Sequence, residues 1–217
     1  MKKRSISRAR SDGRPSARKK PTLRRPQARS RTSLSSQWLK EFFSEMLAVE
    51  QGGVELYERA LKELTHDDLR PKLEQFREQT QQHVELCQEM LNAAGGGEGE
   101  KSPSAEAAEH KARGLLSTEV PDNLKDINNL ENLLLAETKD HWNWELLGSL
   151  MDQIEGRDLK KVVSRAVREV RRQENQHLSW NQKMLTRLAT ETAHREPQTD
   201  ERSEPEDQEE ESAEHDY

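Results

Sequence analysis

Apolar residues recur at intervals of three and four along most of the chain, and this spacing predicts amphipathic helices. Long helices are expected at about Ser36 to Thr65, Asp68 to Ala94, Asn123 to Ile154 and, after a turn at Gly156, up to about Thr192. Between the two ends of the chain there are no clusters of β-branched residues and no Asn-Gly or Asp-Gly hairpin signals. The pattern therefore predicts an all-α fold.

The connection between the second and third long helices differs from the other two in length and composition. It begins at Gly95-Gly96-Gly97, continues through a polar linker, and contains one short helical pattern from about Ser104 to Leu116 before Pro121. Four long helices joined by a short, a long and a short connection predict a four-helix bundle with one long crossover.

Charged residues are unevenly distributed along the chain. They make up 35% of it against 31% hydrophobic residues, which is too polar for all 217 residues to share one core. Residues 1–34 hold thirteen Lys or Arg and one acid, whereas residues 196–217 hold eleven acids and one Arg. We therefore expect a helical domain at 36–194 between a basic disordered tail, 1–35, and an acidic disordered tail, 195–217.

The remaining bulk features predict a cytoplasmic protein. No apolar run approaches the length of about 20 residues that a membrane span requires. The basic N-terminus is not followed by the apolar stretch of a secretory signal. A single cysteine, Cys87, rules out an internal disulfide and fits a reducing compartment.

The helices repeat in pairs. When Glu50 is aligned with Glu137, Tyr57 falls on Trp144, because each aromatic residue follows its acid by seven positions. A second alignment places His83 on His177, and the segments 83–91 and 177–185 then match at His, Gln, Met and Leu. Each half of the domain thus consists of a helix with an inward acid followed by a helix with an inward histidine.

These inward polar positions predict a metal site between the helices. Glu174 and His177 are three residues apart, so they project from the same side of one helix and can hold one ion together. A single buried Glu or His is also typical of a hydrogen-bonded core residue. The two matching repeats favour metal binding by the group.

This arrangement resembles the ferritin-like superfamily, including rubrerythrin and bacterioferritin. That family holds two iron or manganese ions with a Glu from each of two helices and a Glu-x-x-His motif from each of the other two. The resemblance implies that Glu50 and Glu137 are the single carboxylates, that Glu174 with His177 is one paired motif, and that His83 belongs to the other.

The chain departs from the family pattern at residue 80, where Thr80 replaces the expected carboxylate. A similar threonine is typical of the small ferritin-like stress proteins YciE and YciF, which the chain also resembles. Three glutamates remain, enough for one tight ion with a weaker or absent second one. His141 is a candidate substitute ligand, and Tyr57, Trp142 and Trp144 are candidates for lining the site.

Two functions stay open at this point. The first is a ferritin-like protein that binds iron or manganese, handles iron or defends against oxidative stress, and, if both ions bind, acts as a ferroxidase or peroxidase. The second is a non-enzymatic helical stress or interaction module whose metal site has decayed. With either function we expect a homo-oligomer, and the basic residues 1–34 predict non-specific DNA binding.

Overall fold

A computed structural model describes residues 33–97, 99 and 101–194 of the chain, and the regular elements within them are all helical. The five helices are α1 (Ser36–Glu63), α2 (Arg70–Ala93), α3 (Pro103–Leu116), α4 (Lys125–Leu150) and α5 (Arg157–Ala193). The predicted all-α class is therefore confirmed for this part of the chain. Nearly all of both predicted tails, residues 1–32 and 195–217, lies outside the described residues.

Side-chain caps explain where two of the helices begin. The Ser35 hydroxyl accepts a hydrogen bond from the backbone nitrogen of Trp38 at the start of α1. Ser102 does the same for Ala105 at the start of α3, and Pro103 occupies the first position of that helix. Both caps satisfy backbone donors that have no partner inside the helix.

The four long helices pack in a closed cycle in which α1 contacts α2, α2 contacts α5, α5 contacts α4, and α4 contacts α1. The short helix α3 packs against the outside of this cycle, on α1. Within the described residues, no helix combines the length and apolar character that a membrane span requires.

The core consists of two apolar clusters. The first apolar cluster includes Phe43, Met46, Cys87, Trp144, Leu147, Val163 and Val170. The second apolar cluster includes Leu56, Tyr57, Leu73, Phe76, Leu133, Met184 and Leu188. Every long helix contributes to both clusters. Along α1 and α5 the chain passes from the first cluster to the second, and along α2 and α4 it passes from the second to the first. Neighbouring long helices in the cycle therefore run antiparallel.

Polar residues occupy the stretch between the two apolar clusters on each long helix. The buried members of this layer are Glu50 on α1, Thr80 and His83 on α2, Glu137, Asp140 and Asn143 on α4, and Glu174, His177 and Asn181 on α5. A layer of charged groups inside an otherwise apolar core is costly unless the groups are paired or bind a cation. This layer is therefore the candidate functional site.

Candidate metal centre

The structure brings the five sequence-predicted ligand residues together in one buried cluster. They come from all four long helices, and each is at most 4% exposed. In the described part of the chain, two groups of side chains have ligand atoms within 4.8 Å of one another. Group A is Glu50, His83, Asp140 and Glu174, and group B is Glu137, Glu174 and His177. Glu174 belongs to both.

The distances inside the groups suit ligands around a common ion. His83 Nδ1 lies 3.4 Å from Glu50 Oε2 and 3.2 Å from Glu174 Oε1. His177 Nδ1 lies 3.3 Å from Glu137 Oε2 and 3.4 Å from Glu174 Oε1. Ligands about 2.1 Å from one ion lie about 3.0 Å apart in octahedral geometry and about 3.4 Å apart in tetrahedral geometry.

These ligand atoms make no hydrogen bonds to other described residues. Seven buried atoms of the cluster lack a hydrogen-bond partner: Glu50 Oε2, His83 Nδ1, Glu137 Oε2, Asp140 Oδ1, both carboxylate oxygens of Glu174, and His177 Nδ1. A buried polar atom left without a partner costs about 1–3 kcal/mol, so seven would cost on the order of 10 kcal/mol unless protons or cations satisfy them. That cost is comparable to the whole stability of a typical domain.

Two glutamines orient the imidazole rings. The Oε1 atom of Gln173 lies 2.6 Å from His83 Nε2, and the Oε1 atom of Gln79 lies 2.9 Å from His177 Nε2. Because an amide oxygen only accepts hydrogen bonds, Nε2 of each ring carries a proton and donates it. The Nδ1 atom of each ring then faces the carboxylates, which is how the outer hydrogen bonds of metal-ligating histidines work.

Two aromatic residues donate hydrogen bonds to Glu50 and Glu137, and in each case the donor lies on the opposite helix, α1 or α4, from its glutamate. The hydroxyl of Tyr57 on α1 donates to Glu137 Oε1 on α4 at 2.5 Å. The indole nitrogen of Trp144 on α4 donates to Glu50 Oε1 on α1 at 2.8 Å. Each bond fixes one carboxylate oxygen and leaves Oε2 turned toward the nearest histidine.

The carboxylates and imidazoles of the cluster compete for protons, and this competition shifts their pKa values. Burial lowers the pKa of His177, but the charges of Glu137 and Glu174 outweigh it and raise that pKa to about 9. Burial together with the charge of Glu174 raises the pKa of Glu137 to about 7. Burial raises the pKa of Glu174, yet the neighbouring imidazoles of His177 and His83 lower it to about 2.

Asp140 is the member of the cluster that the sequence analysis missed. It is 6% exposed, and its ligand atom lies with those of Glu50, His83 and Glu174. Burial, followed by the charge of Glu50, raises its pKa well above the usual value. Its position three residues after Glu137, the same spacing as between Glu174 and His177, was the available signal.

Two other residues, His141 and Trp142, behave differently from their predicted roles, whereas Thr80 does not. Neither ligand group contains His141, and its predicted place is taken by its neighbour Asp140. The suggestion that Trp142 lines the site is wrong, because this side chain is 62% exposed. Thr80 is buried at the expected position, but its hydroxyl donates to the Phe76 carbonyl at 3.0 Å, a bond within its own helix.

Comparison with known proteins adds no identification. No family model matches the chain, and no curated protein or solved structure matches it either. The function is therefore inferred from the geometry of the polar layer.

Proposed function

We propose that this chain is a ferritin-like four-helix bundle that binds two divalent transition-metal ions, iron or manganese, between its long helices. One ion would be held by group A and the other by group B, with Glu174 between them. The observation that carries the proposal is the set of seven buried ligand atoms without hydrogen-bond partners, all facing one another.

The ligand count supports the two-ion proposal. The ferritin-like pattern contains four carboxylates and two histidines. With Thr80 in place of one carboxylate, only three of the four remain at the family positions, but Asp140 brings a fourth into the same buried layer. Carboxylates and imidazoles together suit iron, manganese or zinc, and the anionic ligands offset the charge of two ions.

The roles of individual residues follow from their contacts. His83 and His177 would bind through Nδ1, since Nε2 of each ring faces a glutamine oxygen. Glu50 and Glu137 would bind through Oε2, since Oε1 of each accepts from Trp144 or Tyr57. Two bound Fe(II) ions would supply one electron each, the two electrons that reduction of dioxygen to peroxide or of peroxide to water requires, so the chemistry expected here is iron oxidation and handling.

The test is metal content per chain after anaerobic loading with Fe(II) and desalting. We expect about two irons in the natural protein and almost none in Glu174→Gln, because this residue belongs to both groups. The matched control is Glu169→Gln, which makes the same change at an exposed position of α5 and should keep both irons. Circular dichroism checks that each variant remains helical.

One observation favours the second candidate function, a helical interaction module with a decayed site. The Thr80 hydroxyl is used by the Phe76 carbonyl, so position 80 provides no ligand of its own. Natural protein with no stoichiometric metal, and with unchanged melting on addition of Fe(II) or Mn(II), would select this candidate. The homo-oligomer and DNA binding by residues 1–34 stay predictions under both.

A further inference from the structure

A cavity of about 410 Å³ lies between α1, α3 and α4, next to the metal centre. Its lining is mainly aliphatic or glycine backbone, including Val49, Gly53, Leu56, Ala108, Leu115 and Ala136. Cavities of this size and character are typical binding sites for small apolar molecules.

Small residues on the three helices create the space. A Cβ atom added at Gly52 would lie only 2.8 Å from the Ala112 Cβ, so α3 sits against the backbone of α1 at this point. Gly53, Ala108 and Ala136 line the cavity with little or no side chain. The close contact at Gly52 holds α3 in place, while the small neighbours leave the volume open.

The inner end of the cavity reaches the wall of the metal centre. Val49, Gly53 and Ala136 also line a much smaller cavity of about 10 Å³, whose other walls are Glu50, Thr80, Glu137 and Asp140. Three of these, Glu50, Glu137 and Asp140, are more than nine-tenths buried and carry a carboxylate oxygen without a hydrogen-bond partner. A wall of small residues is thus all that separates the apolar space from the ligand groups.

The charged residues at the rim of this cavity indicate which kind of polar group a bound molecule would carry. Lys139 is neutralised, since its Nζ lies 2.7 Å from Glu45 Oε1 and also 2.7 Å from Asn143 Oδ1. Lys111 is exposed on α3 and has no ion-pair partner within 33–97, 99 and 101–194. The rim therefore offers one cation for an anionic group beside an apolar interior.

We propose that this cavity binds an aliphatic carboxylate whose hydrocarbon chain lies along α1, α3 and α4 and whose headgroup pairs with Lys111. The far end of the chain then lies against the wall formed by Val49, Gly53 and Ala136. Burial of each methylene strengthens binding about fourfold, so the chain supplies most of the affinity and the headgroup fixes the orientation. Binding of this ligand does not depend on the proposed metal.

The experiment is isothermal titration of the full-length, metal-free protein with decanoate below its micelle concentration. We expect saturable binding with one site per chain. Lys111→Glu should weaken it roughly fivefold or more, because it replaces an attraction with a repulsion at an exposed position. The uncharged 1-decanol should bind the natural protein more weakly than decanoate and should respond little to Lys111→Glu.

A neighbouring pair of variants on α3 tests the cavity itself. Ala108 lines the cavity and Ala107 is exposed, so Ala108→Phe should abolish decanoate binding while Ala107→Phe leaves it unchanged. Both variants should remain helical by circular dichroism. Equal affinity for decanoate and 1-decanol would overturn the headgroup assignment. The site would be overturned by any of three results: no binding in the natural protein, equal effects of the two Phe variants, or a self-associated state that decanoate cannot enter.

Discussion

Asp140 and Glu174 are both buried carboxylates of the centre, but their surroundings affect them in opposite ways. Glu174 is close to two imidazoles that lower its pKa, whereas burial and the charge of Glu50 raise the pKa of Asp140. An acid whose pKa is raised on folding destabilises the folded state increasingly as pH rises above its unfolded pKa. Asp140 is thus costly at neutral pH unless a cation accompanies it.

Asp140→Asn should therefore have opposite effects on stability and metal binding. We expect it to raise the stability of the metal-free protein at pH 7 by on the order of 1 kcal/mol, because a neutral amide replaces the unfavourable carboxylate. The same change should reduce bound iron from about two to about one per chain. Thermal unfolding and elemental analysis measure the two effects.

The control for this substitution is Asp152→Asn, at an exposed side chain beside Lys160. It should change stability by less than about 0.5 kcal/mol and leave the metal content unaltered. A less stable Asp140→Asn protein that keeps both irons would assign Asp140 a structural role instead.

Metal affinity should increase with pH. Glu137, with a pKa of about 7, and His177, with a pKa of about 9, must each lose a proton before they can bind an ion. The pKa values of His83 and Asp140 are also raised, and release of each proton makes the affinity rise about tenfold per pH unit, so we expect at least that slope between about pH 7 and 9 and a steeper one below about pH 7. Titration with Mn(II), followed by electron paramagnetic resonance, measures it. An affinity that is constant over this range would contradict binding at these residues.

At the scale of the elements, the position of α3 depends on its contact with α1. Gly52 faces Ala112 so closely that a methyl group there requires one helix to shift, whereas no atom lies within 4 Å of a Cβ placed at Gly114. Both glycines lie inside helices and have ordinary helical backbone conformations.

The two glycines give a matched prediction. Gly114→Ala should stabilise the protein by up to about 1 kcal/mol through helix propensity alone. Gly52→Ala gains the same propensity but should destabilise the protein by about 1–3 kcal/mol, because of overpacking against α3. Chemical unfolding of both variants measures the difference, and an increase in stability for Gly52→Ala would show that α3 moves aside without cost.

The polar layer is also organised by an approximate twofold relation between the halves of the chain. In two pairs of contacts a residue of one half holds a polar residue of the other: Gln79 and Gln173 orient His177 and His83, while Tyr57 and Trp144 donate to Glu137 and Glu50. The twofold relation does not hold at two neighbouring positions. Gly53 in the first half corresponds to Asp140 in the second, and Thr80 corresponds to Glu174. That asymmetry removes a carboxylate from one side of the centre and adds one on the other.

At the scale of the whole molecule, the asymmetry coincides with the small cavity beside the polar layer. A Cβ atom at Gly53 would lie 3.3 Å from Thr80 Cγ2, so these small residues meet where the other half has two carboxylates. The small cavity beside them lies between the polar layer and the apolar cavity along α1 and α4.

Helical periodicity in the sequence was enough to predict the all-α class and the inward positions of Glu50, His83, Glu137, Glu174 and His177, because a repeat of 3.6 residues places such positions on one face. It was not enough to choose between Asp140 and His141. Consecutive residues differ by about 100° around a helix, and the rotation of α4 is set by how Leu133, Trp144 and Leu147 pack.

The sequence by itself therefore determined which helices form and that Glu50, His83, Glu137, Glu174 and His177 face inward, since both depend on local periodicity. The tertiary structure decided which atoms converge: that Asp140 joins Glu50 and His83, that Gln79 and Gln173 turn both imidazoles, and that Trp142 faces solvent. Gln173 is 90 positions from His83 in the sequence, and Gln79 is 98 positions from His177. Only the packing of complete helices brings these pairs within hydrogen-bonding distance.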